Sequence, residues 1–223
     1  MNFKKFINRI FTFMLYIILL IGSELISSIL IYIFKINGLY KEIMLITTNI
    51  IATIAYLNIV KFNIKEEINK LKKLKSDDII KLISIYIFSF ILMVITNLII
   101  VNFIKHGIAP NEKANREIMQ NYKLYAIISM CIVTPILEET AFRYIFKDTF
   151  KNNITYILFT GLLFSSMHVL ISAKDITDLL YIVPYSTLGI AFSAIYSKSN
   201  KCILTSMIAH IIHNTISIIV ILL

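Results

Sequence analysis

The stretch LYAIISMCIVTPILEETAFRYIF, residues 124–146, shapes how the whole chain is organised. It is long enough to cross a bilayer as a helix, yet it carries two adjacent carboxylates, Glu138 and Glu139, and a guanidinium, Arg143. Each charged group at the centre of a bilayer costs roughly 3 kcal/mol on insertion scales. Such groups are retained where they face a protein interior or a water-filled cavity, so this stretch indicates a functional site.

The composition of the whole chain is that of a polytopic membrane protein. Hydrophobic residues make up 58% of the 223 residues and charged residues 16%, with a mean hydropathy of +0.80, whereas soluble domains are about half apolar and about a quarter charged. The net charge of +9 fits basic cytoplasmic loops, so we expect the lipid bilayer, and not nucleic acid, as the partner. The two cysteines, Cys131 and Cys202, lie in or beside apolar runs, which predicts neither a disulfide nor a cysteine metal site.

The apolar runs predict an all-α fold, a bundle of about seven transmembrane helices. A polar linker at 105–122 separates an N-terminal part with three spans, residues 1–122, from a C-terminal core of four helices, residues 123–223. Pro135, three residues before Glu138, predicts a kink in the fourth span because proline lacks the N–H of the helical ladder. The predicted spans are 11–34, 43–60, 79–104, 124–146, 154–171, 178–196 and 203–222.

Two basic segments lie on either side of the first two spans. Lysines and an arginine precede the first apolar run, which is too long for a signal peptide and lacks a small-residue cleavage site, so we predict a retained helix. Residues 61–81 contain seven lysines, and apolar residues recur there at helical spacing from Ile64. This pattern is typical of an amphipathic helix on the anionic inner leaflet, or alternatively of a solvated charged loop.

The distribution of lysine and arginine outside the spans predicts the orientation. With seven spans, the side that holds the N-terminus carries 14 of these residues and the opposite side carries 7. Cytoplasmic loops carry the excess of positive charge. We therefore expect an integral membrane protein, in the cell membrane if the chain is bacterial, with its N-terminus in the cytoplasm and its C-terminus outside.

Costly polar side chains from three spans reach the middle part of the bilayer. At about 1.5 Å per residue from the cytoplasmic helix ends, Glu138 lies roughly 14 Å deep, His168 roughly 21 Å, His210 roughly 10 Å and Asn214 roughly 16 Å. If these residues had unrelated roles, nothing would require all of them to reach the middle part of the bilayer. One buried site shared by the fourth, fifth and seventh spans explains them.

Helical spacing assigns faces on the fourth span. Glu139 and Arg143 are four residues apart and lie on one face, where they are predicted to form an ion pair. Glu138 points about a third of a turn away. It is therefore left free of that pair.

The same spacing applies to the fifth and seventh spans. Phe164 and His168 are four residues apart, which places the phenyl ring beside the imidazole. His210 and Asn214 share a face in the same way. His213 lies nearby, and we expect it to be a hydrogen-bonded packing histidine.

Three motifs together resemble those of a known family. E-E-x-x-x-R at 138–143, F-x-x-x-H at 164–168 and H-x-x-x-N at 210–214 are similar to the motifs of the CPBP intramembrane proteases. They occur in the order of the family, each on its own predicted span. That family joins the CAAX prenyl proteases to bacterial bacteriocin-processing and Abi-type proteins. The resemblance marks residues 123–223 as a CPBP-like catalytic core and does not extend to residues 1–122.

The resemblance implies an intramembrane endopeptidase that hydrolyses a peptide bond of a small peptide or a membrane-protein tail. By that resemblance, Glu138 and His168 would activate a water molecule, and His210 and Asn214 would hydrogen-bond the oxyanion. Structural support is expected from three further residues, Glu139, Arg143 and Phe164.

The residues leave open whether a metal takes part. Glu138, His168 and His210 supply the His₂Glu donors that hold zinc with an open coordination position, but no H-E-x-x-H motif is present. We therefore expect either no cofactor or a zinc ion, and we favour a glutamate-dependent reaction without metal.

Two other functional classes use similar features. A non-catalytic bacteriocin-immunity-type membrane protein would share the fold without turnover. A proton-coupled transporter also places Glu, His and Arg within the membrane, although repeated halves and matching broken helices are not evident in this sequence. Loss of function with folding retained in Glu138→Ala and His168→Ala would distinguish a protease from an immunity protein.

Overall fold

The protein is a bundle of apolar helices, seen in a computed structural model that describes residues 3–222. Within that range all regular structure is helical, and seven segments are long and apolar enough to cross a bilayer, so the predicted seven-helix membrane fold is confirmed. The α-helices are α1 (Phe3–Ile33), α2 (Leu39–Ile59), α3 (Ile64–Lys72), α4 (Ser76–Ile99), α5 (Pro110–Asn121), α6 (Lys123–Tyr125), α7 (Thr134–Phe142), α8 (Asn153–Leu170), α9 (Ile182–Lys198) and α10 (Ile203–Leu222).

Large apolar side chains cover the outside of the bundle. Ile18 on α1 is 61% exposed and Phe88 on α4 is 69% exposed, and many others resemble them. A soluble monomer rarely exposes so much contiguous apolar surface. Together with the seven long apolar helices, these faces show a surface that contacts lipid.

The first helix and the third span begin earlier than predicted. Helix α1 begins at Phe3 and not at residue 11, because the basic residues before the apolar run continue the helix. The third span begins at Ser76 and not at residue 79. There the side chain of Asp78 accepts from the backbone N–H of Lys75 at 3.2 Å, which satisfies a donor at the helix start.

Residues 61–81 form the short helix α3, a turn and the start of α4. The apolar Ile64 and Ile68 of α3 are exposed, as the amphipathic alternative predicted, but Glu67 is fully buried. Its Oε2 accepts from the backbone N–H of Ile203, the first residue of α10, at 2.8 Å. The helix is therefore attached to the seventh span by a carboxylate at a helix N-terminus, a favourable position for negative charge.

The polar linker is mostly helical. Helix α5 runs from Pro110 to Asn121, with proline in its first turn, where a missing N–H costs nothing. Before it, Lys105 donates to Asp175 Oδ2 at 2.8 Å and also pairs with the buried Asp178. These ion pairs connect the end of the third span to the segment before α9.

The fourth span, Lys123–Phe146, changes its hydrogen-bonding pattern along its length. Its start is capped from α2, because Glu42 Oε2 accepts from the N–H groups of Leu124 and Tyr125 at 2.6 and 3.0 Å. Residues Ala126–Val133 are π-helical, and the α-helical pattern resumes at Thr134 as α7. The predicted change at Pro135 is therefore a π-to-α transition. A 3₁₀ turn, Tyr144–Phe146, ends the span.

Helices α8 and α9 approach each other through two glycines. A Cβ at Gly189 would lie 2.4 Å from the carbonyl oxygen of Gly161, and a Cβ at Gly161 would lie 2.7 Å from the N of Ile190. No side chain other than hydrogen fits at these distances. Helix α9 thus lies in the centre of the C-terminal part, where it also contacts α4 and α10.

Candidate active site

A carboxylate and two imidazoles from three spans meet in the interior. Glu138 on α7 is 8% exposed, and its Oε1 lies 3.6 Å from His168 Nε2 on α8. Its Oε2 lies 3.7 Å from His210 Nε2 on α10. Both distances are slightly too long for a direct hydrogen bond and suit groups that share a water molecule or a substrate atom.

His168 is held by its own helix. Its Nδ1 lies 2.9 Å from the carbonyl oxygen of Phe164, one turn earlier. The two rings also contact each other, with centroids 4.1 Å apart, as the spacing predicted. This contact and the hydrogen bond orient the ring so that Nε2 faces Glu138.

His210 is held by neighbouring helices. Its Nδ1 lies 2.9 Å from Glu139 Oε1 on α7. Its ring stacks on Phe192 of α9, with centroids 4.7 Å apart and an interplanar angle of 20°. The residue is 3% exposed, and its ring is held on one face by Phe192 and at Nδ1 by Glu139.

Glu139 and Arg143 form the predicted ion pair, and both are fully buried. Arg143 Nη1 donates to Glu139 Oε1 at 2.9 Å. The guanidinium also donates to the carbonyl oxygen of Gly189 at 3.0 Å and to Ser193 Oγ at 3.2 Å. It lies 4.5 Å above the ring of Phe164, within the range of a cation–π contact. The arginine therefore joins α7 to α8 and α9, and sequence reasoning did not identify Gly189 or Ser193 as its partners.

Asn214 compensates for the missing N–H of Pro135. Within the π-helical segment Thr134 N bonds the carbonyl oxygen of Ser129, so the next donor in that pattern would be residue 135. Proline has no such donor. Asn214 Nδ2 supplies it instead, donating to the carbonyl oxygen of Met130 at 2.8 Å. One hydrogen of the amide is used by this bond and the second is left for another acceptor.

His213 does not contact the carboxylates of the site. Its Nδ1 lies 3.5 Å from Tyr86 Oη, and its ring packs edge-on against Phe90 and Phe192. This agrees with the expectation of a packing histidine.

A cavity of about 280 Å³ contains the site. The predicted site residues Glu138, His168, His210 and Asn214 line it, together with Phe164. Further polar side chains from several helices line it, among them α1, α2, α5 and α9. These residues include Glu24, Asn49, Asn111, Glu112, Asn115 and Tyr185. Asn111, Glu112 and Asn115 leave a weak signal in one sequence because they lie in the predicted polar linker, where polar residues usually face solvent.

The side chains of the site are of the types that bind zinc, but their positions suit a zinc ion less well. Each imidazole is hydrogen-bonded at Nδ1, as ligating histidines commonly are. However, the two Nε2 atoms approach different oxygens of Glu138. Among residues 3–222 no group of three or more His, Cys, Asp and Glu side chains has an arrangement that would hold a metal ion.

One comparison with known proteins finds a family. Residues 120–216 match the family model described as type II CAAX prenyl endopeptidase Rce1-like. Neither a curated protein nor a solved structure matches the chain. The matched range contains all three motifs and with them Glu138, His168, His210 and Asn214. Residues 120–216 are therefore similar to the Rce1-like type II CAAX prenyl endopeptidases, which supports the resemblance to the CPBP intramembrane proteases that the three motifs indicated.

Proposed function

We propose that the protein is an intramembrane endopeptidase that cleaves a small peptide or a membrane-protein tail with a water molecule activated by Glu138 and His168. The observation that carries this proposal is the approach of Glu138 to two imidazole Nε2 atoms, at 3.6 and 3.7 Å, inside a cavity. A structural ion pair would not need two imidazoles directed at one carboxylate. A hydrolytic water needs such acceptors around it.

The first chemical step is proton removal from water. A water molecule between Glu138 and His168 would donate to one or both of them, which leaves its oxygen free to attack a peptide carbonyl carbon. General base catalysis of this kind contributes typically about 10²–10⁴-fold in rate. The released proton later goes to the amine nitrogen as the C–N bond breaks.

The carbonyl oxygen of the substrate gains negative charge during this attack. We assign Asn214 and His210 to that side of the site, because both line the cavity beside Glu138. Asn214 has a second amide hydrogen after its bond to Met130. A donor aimed at a developing oxyanion is commonly worth about 10²–10³-fold in rate.

We propose that the reaction needs no metal. The support is geometric, because the two Nε2 atoms face separate oxygens of Glu138. If zinc were bound, Glu138, His168 and His210 would hold it, and it would supply Lewis-acid polarisation of the carbonyl. Peptide release that survives strong chelation supports the metal-free proposal, whereas loss that zinc restores overturns it.

The substrate class follows from the size and position of the cavity. About 280 Å³ accommodates a short stretch of extended peptide around the scissile bond and not a folded domain. A prenylated substrate is not required by the residues that line the cavity. We also propose that the basic loops, which hold 14 of the lysines and arginines outside the predicted spans, face the cytoplasm.

The test compares peptides released by membranes that contain the intact protein and the Glu138→Gln variant. Mass spectrometry should find at least one peptide whose release depends on Glu138, and His168→Ala should abolish the same release. Glu117→Gln, an exposed glutamate on α5, is the matched control and should behave as the wild type.

Two other results would replace the proposal. Equal peptide release from all variants, with protection against a bacteriocin retained by Glu138→Gln, would indicate an immunity protein. Glu138-dependent proton or solute flux in vesicles, without peptide products, would indicate a transporter.

A further inference from the structure

One oxygen of Glu139 receives two donors. Oε1 lies 2.9 Å from Arg143 Nη1 and 2.9 Å from His210 Nδ1. A carboxylate paired with a guanidinium accepts hydrogen bonds and donates none. The hydrogen in the second contact therefore belongs to His210 Nδ1, and the lone pair of the neutral ring lies at Nε2.

His168 has the same tautomer as His210, but a different contact sets it. Its Nδ1 faces the carbonyl oxygen of Phe164 at 2.9 Å, and a carbonyl only accepts. Both rings thus direct an Nε2 lone pair at Glu138, although one is held within its own helix and the other across the bundle.

We propose that Glu139 is a positioning residue that sets the tautomer of His210 and directs its Nε2 at Glu138. Glu139 is itself fixed, because the guanidinium it pairs with is bonded to Gly189 and Ser193 on α9. The orientation of a ring on α10 is therefore determined by α7 and α9 together.

The consequence for the reaction rests on the proposed function. Neutral His210 accepts at Nε2, so Asn214 is the oxyanion donor that is available from the start. His210 donates only after it has received a proton at Nε2. That proton leaves the attacking water for Glu138 as the water oxygen bonds the carbonyl carbon, and Glu138, whose Oε2 lies 3.7 Å from the ring nitrogen, passes it to His210. That proton is then given to the amine nitrogen as the C–N bond breaks, which leaves the ring as it began.

The experiment reads the tautomer directly. The chain has four histidines, so protein labelled with ¹⁵N-histidine in phosphatidylcholine nanodiscs should give four imidazole spectra, assigned by single substitutions. In the wild type, His168 and His210 should both carry hydrogen at Nδ1 and none at Nε2. A wild-type His210 with its hydrogen at Nε2 would overturn the proposal without any variant.

Two variants then test the cause. The double change Glu139→Leu with Arg143→Met removes the acceptor without leaving a buried charge. Glu138 is then the carboxylate that faces the ring, so His210 should move its hydrogen to Nε2. Turnover should fall at least about 100-fold, because the ring then no longer accepts a proton at Nε2. Glu138→Gln removes the other carboxylate and should keep the hydrogen at Nδ1. If the double variant also keeps it there, Glu139 does not set the tautomer.

Controls in the same experiment distinguish failure of this inference from two other outcomes. These are misfolding of a variant and failure of the proposed function. His168 should keep its hydrogen at Nδ1 in every variant, because its acceptor lies in its own helix. A cooperative thermal unfolding transition reports correct folding of each variant. If the double variant does not fold, the wild-type spectrum decides. If the wild type shows the expected tautomers but releases no Glu138-dependent peptide, the proposed function fails and the inference stands.

Discussion

Two ion pairs of nearly equal N···O distance differ in burial, since one is buried and the other is exposed to solvent. Glu139–Arg143 is 2.9 Å long with both side chains fully buried, whereas Lys105–Asp175 is 2.8 Å long with side chains 27% and 54% exposed. The N···O distance of an ion pair therefore does not indicate how much the pair contributes to stability. Removing one partner of a buried pair leaves an uncompensated charge, while water replaces the partner of an exposed pair.

The largest expected effect is that of removing Arg143. Arg143→Leu leaves Glu139 buried without its counter-ion and leaves the acceptor at Gly189 without its donor. We expect a loss of about 3–5 kcal/mol in the free energy of unfolding, measured by thermal or denaturant unfolding in detergent micelles. Asp175→Asn is the exposed counterpart; it leaves Lys105 paired with Asp178 and should change the free energy of unfolding much less. Equal losses in the two variants would show that burial does not separate the pairs.

A smaller loss of stability is expected from a change at Gly189, where α8 and α9 lie close together and the backbone carbonyl accepts a hydrogen bond from Arg143. Gly189→Ala places a Cβ 2.4 Å from the carbonyl oxygen of Gly161, so α8 and α9 must move apart. Such overpacking costs typically about 1–3 kcal/mol, and the shift should also reduce peptide release because it moves an acceptor of Arg143.

The matched control for this change is Gly22→Ala. That position has no heavy atom within 4 Å of the added Cβ, so stability and peptide release should stay at wild-type levels. Similar losses in the two glycine variants would mean that helix contact is not the cause.

The smallest effect belongs to the exposed pair and depends on pH. The hydrogen bond from Lys105 holds the pKa of Asp175 well below its usual range, and a hydrogen bond from Thr177 acts in the same direction. A carboxyl whose pKa is lower in the folded state contributes stability above its unfolded pKa of about 4 and loses it as pH falls. The wild type should therefore lose more stability than Asp175→Asn between pH 5 and acid. This difference should shrink in high salt, and thermal unfolding at several pH values measures both.

Contacts within one helix were the most predictable part of the site. The spacing of Glu139 and Arg143 predicted their ion pair, and that of Phe164 and His168 predicted their ring contact, and both are confirmed. Helical geometry alone decides such contacts. The number of spans was predictable for a similar reason, because bilayer thickness sets the length of each apolar run.

Contacts between helices depend on tilt and register, which one sequence does not reveal. Depth estimates separated His168 from His210 by roughly 11 Å at about 1.5 Å per residue, yet both rings lie within 3.7 Å of Glu138. The fifth and seventh spans therefore differ in tilt or in register, and the assumption that both helices start at the same level was wrong. The π-helical segment was also missed, because Pro135 indicates a break but not the wider turn before it.

Two helices of the C-terminal part have N-termini that are capped by side chains of the N-terminal part. Glu42 caps the span that carries Glu138, and Glu67 caps the helix that carries His210 and Asn214. The segment that matches the family model therefore obtains two of its end caps from residues outside it. A version of the chain trimmed to that segment would lack both caps, so α2 and α3 hold helix ends that a shortened version would have to stabilise in another way.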